Sequence, residues 1–159
     1  MSGLTRGTFA FVIASLFGVA AVTAAGAASV PNPCTLVPAA TLSSAVGLKG
    51  VVLKGKVSTR PDGAAKQTLC TFKHGAAVLE IYVAPHQPSG GSGGPPGMVI
   101  TKPAGLGVGA TFAYDQNPKY EFANAAFTKG GFDAGVWDNG KLPAAEILGL
   151  ARIVYKLLP

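Results

Sequence analysis

Cys34 and Cys70 are the only two cysteines in the chain, and an apolar leader stands in front of them. Met1 to Ala28 has the three parts of a secretory signal: Arg6 as the positive n-region, an apolar run from Phe9 to Val22, and small residues ending in Ala25-Gly26-Ala27-Ala28. Cleavage is expected after Ala27 or Ala28. The alternative is a retained anchor, since Phe9 to Ala28 approaches the roughly 20 apolar residues that span a bilayer. Its second half is Ala and Gly rather than Leu and Ile, which favours cleavage and leaves residues 29–159 with no stable membrane span. A lipid anchor would need a cysteine directly after a small-residue box, whereas Cys34 follows Pro31-Asn32-Pro33.

Outside the reducing cytoplasm, an even cysteine count reads most simply as one disulfide. Joining Cys34 to Cys70 closes a loop of about 37 residues, for which the chain-entropy model gives a stabilisation of about 4 kcal/mol. That is a sizeable part of the net stability of a small domain. Only His74 and His86 could join the thiols around a metal, so neither a metal nor another cofactor is expected.

About 131 residues remain after the leader, the size of one domain with one core. Losing Arg6 leaves twelve basic against 7 acidic side chains, a net charge of +5. Such an excess favours anionic surfaces, but it is diffuse and has no Arg cluster for base reading, so nucleic acid is not an expected partner.

Prolines 31 and 33 keep Val30 to Pro33 extended, and order is expected from near Cys34. Pro38 to Val46 reads as a short helix, with Pro38 in its first turn, Leu42, Ala45 and Val46 at helical spacing, and Gly47 as its left-handed stop. Val51 to Ser58 alternates, with Val51, Leu53 and Val57 on one side and Lys54, Lys56 and Arg60 on the other, which predicts a half-buried strand with a basic outer face. Those lysines either keep an edge strand soluble or form an anion-binding strip. Pro61-Asp62-Gly63 predicts a turn.

Lys66 to Phe72 and Ala77 to Ala84 predict a hairpin turning at Lys73-His74-Gly75-Ala76, with Leu79, Ile81 and Val83 toward the core and Val78, Glu80 and Tyr82 away from it. Residues 85–97, rich in Pro and Gly, predict a flexible loop, either a simple insertion or a lid over a ligand site. Strands are then predicted at Met98 to Thr101, Ala110 to Tyr114, Tyr120 to Thr128 and Phe132 to Asp138, the last three separated by turns at Asn117-Pro118 and Gly130-Gly131, with Asn139-Gly140 after them. Pro143 to Leu158 carries Ile147, Leu150, Ala151, Val154, Leu157 and Leu158 on one stripe and is the clearest helix. The sum is an α+β domain: an antiparallel sheet of about five to seven strands, with a short N-terminal helix and a C-terminal amphipathic helix on one face.

Several short segments are shared with one group of proteins. They are Pro33-Cys34-Thr35-Leu36-Val37 leading a short helix to Gly47, Cys70-Thr71-Phe72 opening a hairpin that returns through Leu79 to Val83, Gly105-Leu106-Gly107 before the strand at Ala110, and Leu148-Gly149-Leu150-Ala151-Arg152 in the last helix. Over most of the mature chain the pattern resembles a family of small secreted proteins and lipoproteins of actinobacteria that carry a domain of unknown function. The resemblance implies an envelope location and paired cysteines, and no activity. Many of those proteins carry a lipobox cysteine, which this chain lacks.

Catalytic patterns are sparse. No Ser stands in a G-x-S-x-G elbow, and Gly105-Leu106-Gly107-Val108-Gly109 lacks the Lys-Ser/Thr ending of a phosphate loop. The carboxylates Glu80, Asp115, Glu121, Asp133 and Asp138 are not paired by spacing, as a glycosidase would need. Aromatic residues are more suggestive: Phe112 with Tyr114, and Tyr120 with Phe122, share strand faces, and Trp137 is out of phase with Phe132 and Val136. They serve either as core packing or as a platform for an apolar, glycan or peptide partner. The expectation is a monomeric, non-enzymatic module of the cell envelope that binds a ligand or protein partner through Trp137, Tyr114, Tyr120, Lys54 and Lys56. A secreted inhibitor or immunity-type protein and a small extracytoplasmic hydrolase are the alternatives.

Overall fold

In the computed structural model, residues 29–62, 65–87, 98–115 and 122–159 are described. Seven antiparallel strands form one sheet: β1 (Gly55–Asp62), β2 (Ala65–His74), β3 (Ala77–Pro85), β4 (Met98–Thr101), β5 (Thr111–Asp115), β6 (Ala123–Lys129) and β7 (Phe132–Asp138). Their spatial order is β1-β2-β3-β7-β6-β5-β4. Two meanders therefore meet at a central β3–β7 pair, in which Ile81 faces Val136. Three helices accompany the sheet: α1 (Pro33–Leu36), α2 (Ala39–Ala45) and α3 (Ala144–Leu157). The architecture is the predicted α+β arrangement, and the expected leader, Met1 to Ala28, lies outside the described residues.

Period-two alternation decides which side of each strand meets the helices. Leu79, Ile81 and Val83 of β3, Phe132, Ala134 and Val136 of β7, and Ala123, Ala125 and Phe127 of β6 join one buried cluster with Ile147, Leu150, Ala151 and Val154 of α3. The last helix earns its place through this apolar stripe, since Pro143 at its N-cap supplies no side-chain hydrogen bond. Its C-terminal carbonyls are met instead by Lys129, whose ammonium donates to the oxygens of Tyr155 (2.9 Å) and Leu158. A cation at that end also offsets the helix dipole.

Cys34 and Cys70 are joined, with Cα atoms 5.0 Å apart, and this ties α1 to β2. The lead-in is non-helical through Asn32, whose backbone is extended as expected, and a single helical turn follows from Pro33, because the Asn32 side chain accepts from the Cys34 N–H (2.9 Å) and caps it. The disulfide rests on Gly55, where any Cβ would collide with both sulfurs.

The first strand starts four residues later than the alternation implies. Val51 is held by α2 and not by the sheet: its N–H donates to the Leu48 carbonyl (3.1 Å) and its carbonyl accepts from the Ser43 hydroxyl (2.5 Å). The phase of the alternation is nonetheless right, with Leu53 buried in the core and Lys54 and Lys56 exposed. Pro61 and Asp62 belong to β1, not to a turn, with Pro61 opposite Lys66. Proline is tolerated there because β1 is an edge strand, whose outward side needs no donor. Pro85 likewise pairs with Phe132 and closes β3. Residues 88–97 and the Asn117-Pro118 turn lie outside the described residues, as do Tyr120 and Glu121; β6 begins at Ala123, with Phe122 ahead of it outside the strand.

Candidate functional site

All three helices pack against one side of the sheet, and no described element covers the other. That helix-free side gathers the residues whose phase opposes the core. Its most ordered feature is a row in register across five strands: Lys56 on β1 faces Thr71, Thr71 faces Glu80, Glu80 faces Trp137, and Trp137 faces Asn124. Beside it runs a second row, in which Ser58 faces Leu69, Leu69 faces Tyr82 and Tyr82 faces Gly135. Gly135 is required there, because a Cβ would strike both the Tyr82 ring and the Ala125 carbonyl. The tyrosine therefore lies across β7 with its hydroxyl 3.5 Å from the Asn124 side-chain oxygen. Diagonal neighbours of this kind lie within reach of aromatic side chains, which puts Tyr82 and Trp137 on one shelf.

At the β1 edge the same side opens into a groove of about 610 Å³, lined by Val52, Lys54, Lys56, Ser58, Thr71 and Lys73. Three lysines, a serine and a threonine thus line one concavity. None of the three lysines has an acidic partner among the described residues. The neighbouring carboxylate is already engaged: Glu80 accepts from the Thr71 hydroxyl (3.1 Å) and lies 3.9 Å from Arg60. Arg60 in turn donates to the Gln67 side-chain oxygen (2.6 Å). Removing these two groups from the balance leaves the groove cationic, with a short-range attraction for phosphate, sulfate or carboxylate.

The structure separates the residues that sequence reasoning grouped as ligand-binding. Lys54 and Lys56 are together in the groove, and Trp137 is half-buried three strands away on the same side. Tyr114 is on the opposite side, stacked against Phe112 with ring centroids 5.5 Å apart and packed on the core. Those two rings therefore belong to the helix-covered layer and build no shared platform with Trp137. Tyr120 lies outside the described residues. Sequence reasoning missed Lys73, which looked like part of a turn, and Tyr82, whose outward phase was legible without its partner Gly135.

Two acidic residues have perturbed carboxyls. Asp133 is opposed by burial, but the His86 imidazole (Nδ1 at 2.8 Å), the Gln87 N–H (3.0 Å) and the Thr128 hydroxyl (2.7 Å) outweigh it and hold the carboxyl below its ordinary value. The His86–Asp133 pair resembles the orienting half of a hydrolytic triad. Thr128 spends its hydroxyl on the carboxylate, however, and no described hydroxyl faces the imidazole as a nucleophile. Asp138 is fully buried, and burial pushes its carboxyl up against the lowering effect of backbone N–H groups. Its Oδ2 accepts from Gly140 (2.6 Å) and Leu142 (3.2 Å), shaping the turn into α3, while Oδ1 has no partner. Among the described residues no cluster of His, Cys, Asp and Glu could hold a metal ion, and no helix is long and apolar enough to cross a membrane.

No protein-family model matches the chain, and neither a curated protein nor a solved structure matches it.

Proposed function

We propose that this protein is an exported, non-enzymatic binding module of the cell envelope that captures an anionic ligand on the helix-free side of its sheet. The observation that carries this is the groove lined together by Lys54, Lys56, Lys73, Ser58 and Thr71, in which none of the three lysines has an acidic partner among the described residues. Isolated surface lysines serve solubility, but three that line one concavity beside the Ser58 hydroxyl present a site. Export is supported by the leader and by the Cys34–Cys70 disulfide, which an oxidising compartment sustains. An envelope setting also agrees with the resemblance to actinobacterial secreted proteins.

Calorimetric titration of the exported protein with inorganic tripolyphosphate tests the groove. Binding should weaken as salt rises. The Lys54→Ala/Lys56→Ala/Lys73→Ala variant should lose roughly ten- to hundredfold in affinity if each ammonium supplies up to about 1 kcal/mol. Its unfolding midpoint should barely change, because surface substitutions of this kind stay within about 0.5 kcal/mol. Unchanged affinity in the triple variant would remove the groove as the site.

A further inference from the structure

Building on the binding side proposed above, we infer that its ligand is an anionic glycan chain lying across the strands, with charged groups in the lysine groove and a sugar ring on the Tyr82–Trp137 shelf. The row from Lys56 through Thr71, Glu80 and Trp137 to Asn124 runs perpendicular to the strands. From β1 to β7 it crosses three interstrand steps, about 14 Å. A compact phosphate fills only the groove. A chain of two or three sugars reaches from one end to the other.

The chemistry changes along that path in the order such a chain requires. At the edge are the three lysines that line the groove, cations suited to phosphate or sulfate. In the middle the Glu80 carboxylate, which already accepts from the Thr71 hydroxyl, keeps acceptor lone pairs for sugar hydroxyls. At the far end the half-buried Trp137 sits diagonal to Tyr82, which lies across Gly135, and the Asn124 amide borders both. Aromatic rings with polar neighbours suit a ligand that is apolar on one face and hydroxylated at its rim. An acidic peptide has less use for this row. An extended peptide would pair along the open β1 edge through main-chain hydrogen bonds, parallel to the strands and away from Trp137.

Trp137 is the only tryptophan of the chain, so its emission reports ligand on the shelf directly. The exported protein is titrated with a sulfated heparin hexasaccharide, its desulfated counterpart, tripolyphosphate and a decamer of glutamate. The sulfated hexasaccharide should shift Trp137 emission and bind at least about tenfold tighter than tripolyphosphate, which should bind without the shift. The desulfated sugar should bind far more weakly than either. Trp137→Phe should cost the hexasaccharide about five- to tenfold while leaving tripolyphosphate binding intact, the size expected for one aromatic contact. A hexasaccharide that binds no tighter than tripolyphosphate and leaves the emission unmoved would overturn the glycan assignment and leave the groove standing. Equal affinity and an equal shift with the glutamate decamer would overturn it in favour of a peptide. Failure of all four probes would defeat the anionic site itself.

Discussion

The two meanders of the sheet protect their helix-facing sides by different means. The C-terminal meander lies under α3, a helix of 14 residues that brings four fully buried side chains to it, and Val136 at its centre is 0% exposed. The N-terminal meander has only α2, with 7 residues, and the single turn α1, and Val57 on the helix-facing side of β1 is 47% exposed. A covalent bond takes over where packed area runs short: the disulfide seats on Gly55 at the point where a helix would otherwise have to reach. Small domains that cannot bury enough apolar surface commonly add such a cross-link. The lightly covered meander is also the one that carries the basic groove. The disulfide anchors α1 to β2 on the helix-facing side, so it occupies neither the opposite side of the sheet nor the β1 edge.

The comparison breaks most sharply at Leu150. Leu150→Ala leaves a cavity under the C-terminal meander and should cost about 2–5 kcal/mol, read from urea denaturation. If the loss were under about 1 kcal/mol, α3 would not be what holds that half. The cysteines come next. Cys34→Ser/Cys70→Ser should lower stability by about 2–4 kcal/mol, and hydrogen exchange should quicken in α1, α2 and β1 well before β6 and β7. Uniform acceleration across all seven strands would show that the bond braces the whole sheet and not one half.

A smaller effect is expected from pH. The Asp133 carboxyl is held below its ordinary value, so its contribution is complete above the usual carboxylate range and is lost as pH falls through the lowered value. Wild type should therefore lose stability more steeply than Asp133→Asn from about pH 5 downward. Asp138 has the opposite sign, because a raised carboxyl is best accommodated below the ordinary range and its contribution fades as pH climbs through the raised value. Parallel acid limbs in wild type and Asp133→Asn would mean that the His86 contact does not bias the folded state.

Much of the sheet was legible because apolar alternation and glycine turns are local signals. The β6–β7 turn at Gly130-Gly131 has positive φ at both residues, as its dipeptide implies, and Phe132 and Val136 face inward with Trp137 opposite them. The start of β1 was not legible, since Val51 alternates like a strand residue but is claimed by Ser43 and Leu48. Nor could spacing bring His86 to Asp133 or Lys73 to Lys54, because those pairs exist only through cross-strand register.

What the linear chain determined by itself is the cysteine pair, the two sides of each strand and the amphipathic stripe of the last helix. These depend on composition and on periods of two and 3.6 residues, which neighbours in sequence set among themselves. Only the tertiary structure decided that β3 and β7 pair at the centre, that Tyr114 lies beneath the sheet while Trp137 lies above it, and that Lys56 of β1, Lys73 of β2 and Lys54 just ahead of β1 share a groove. Those juxtapositions come from strand order and register, which pair residues far apart in sequence and which no local period encodes.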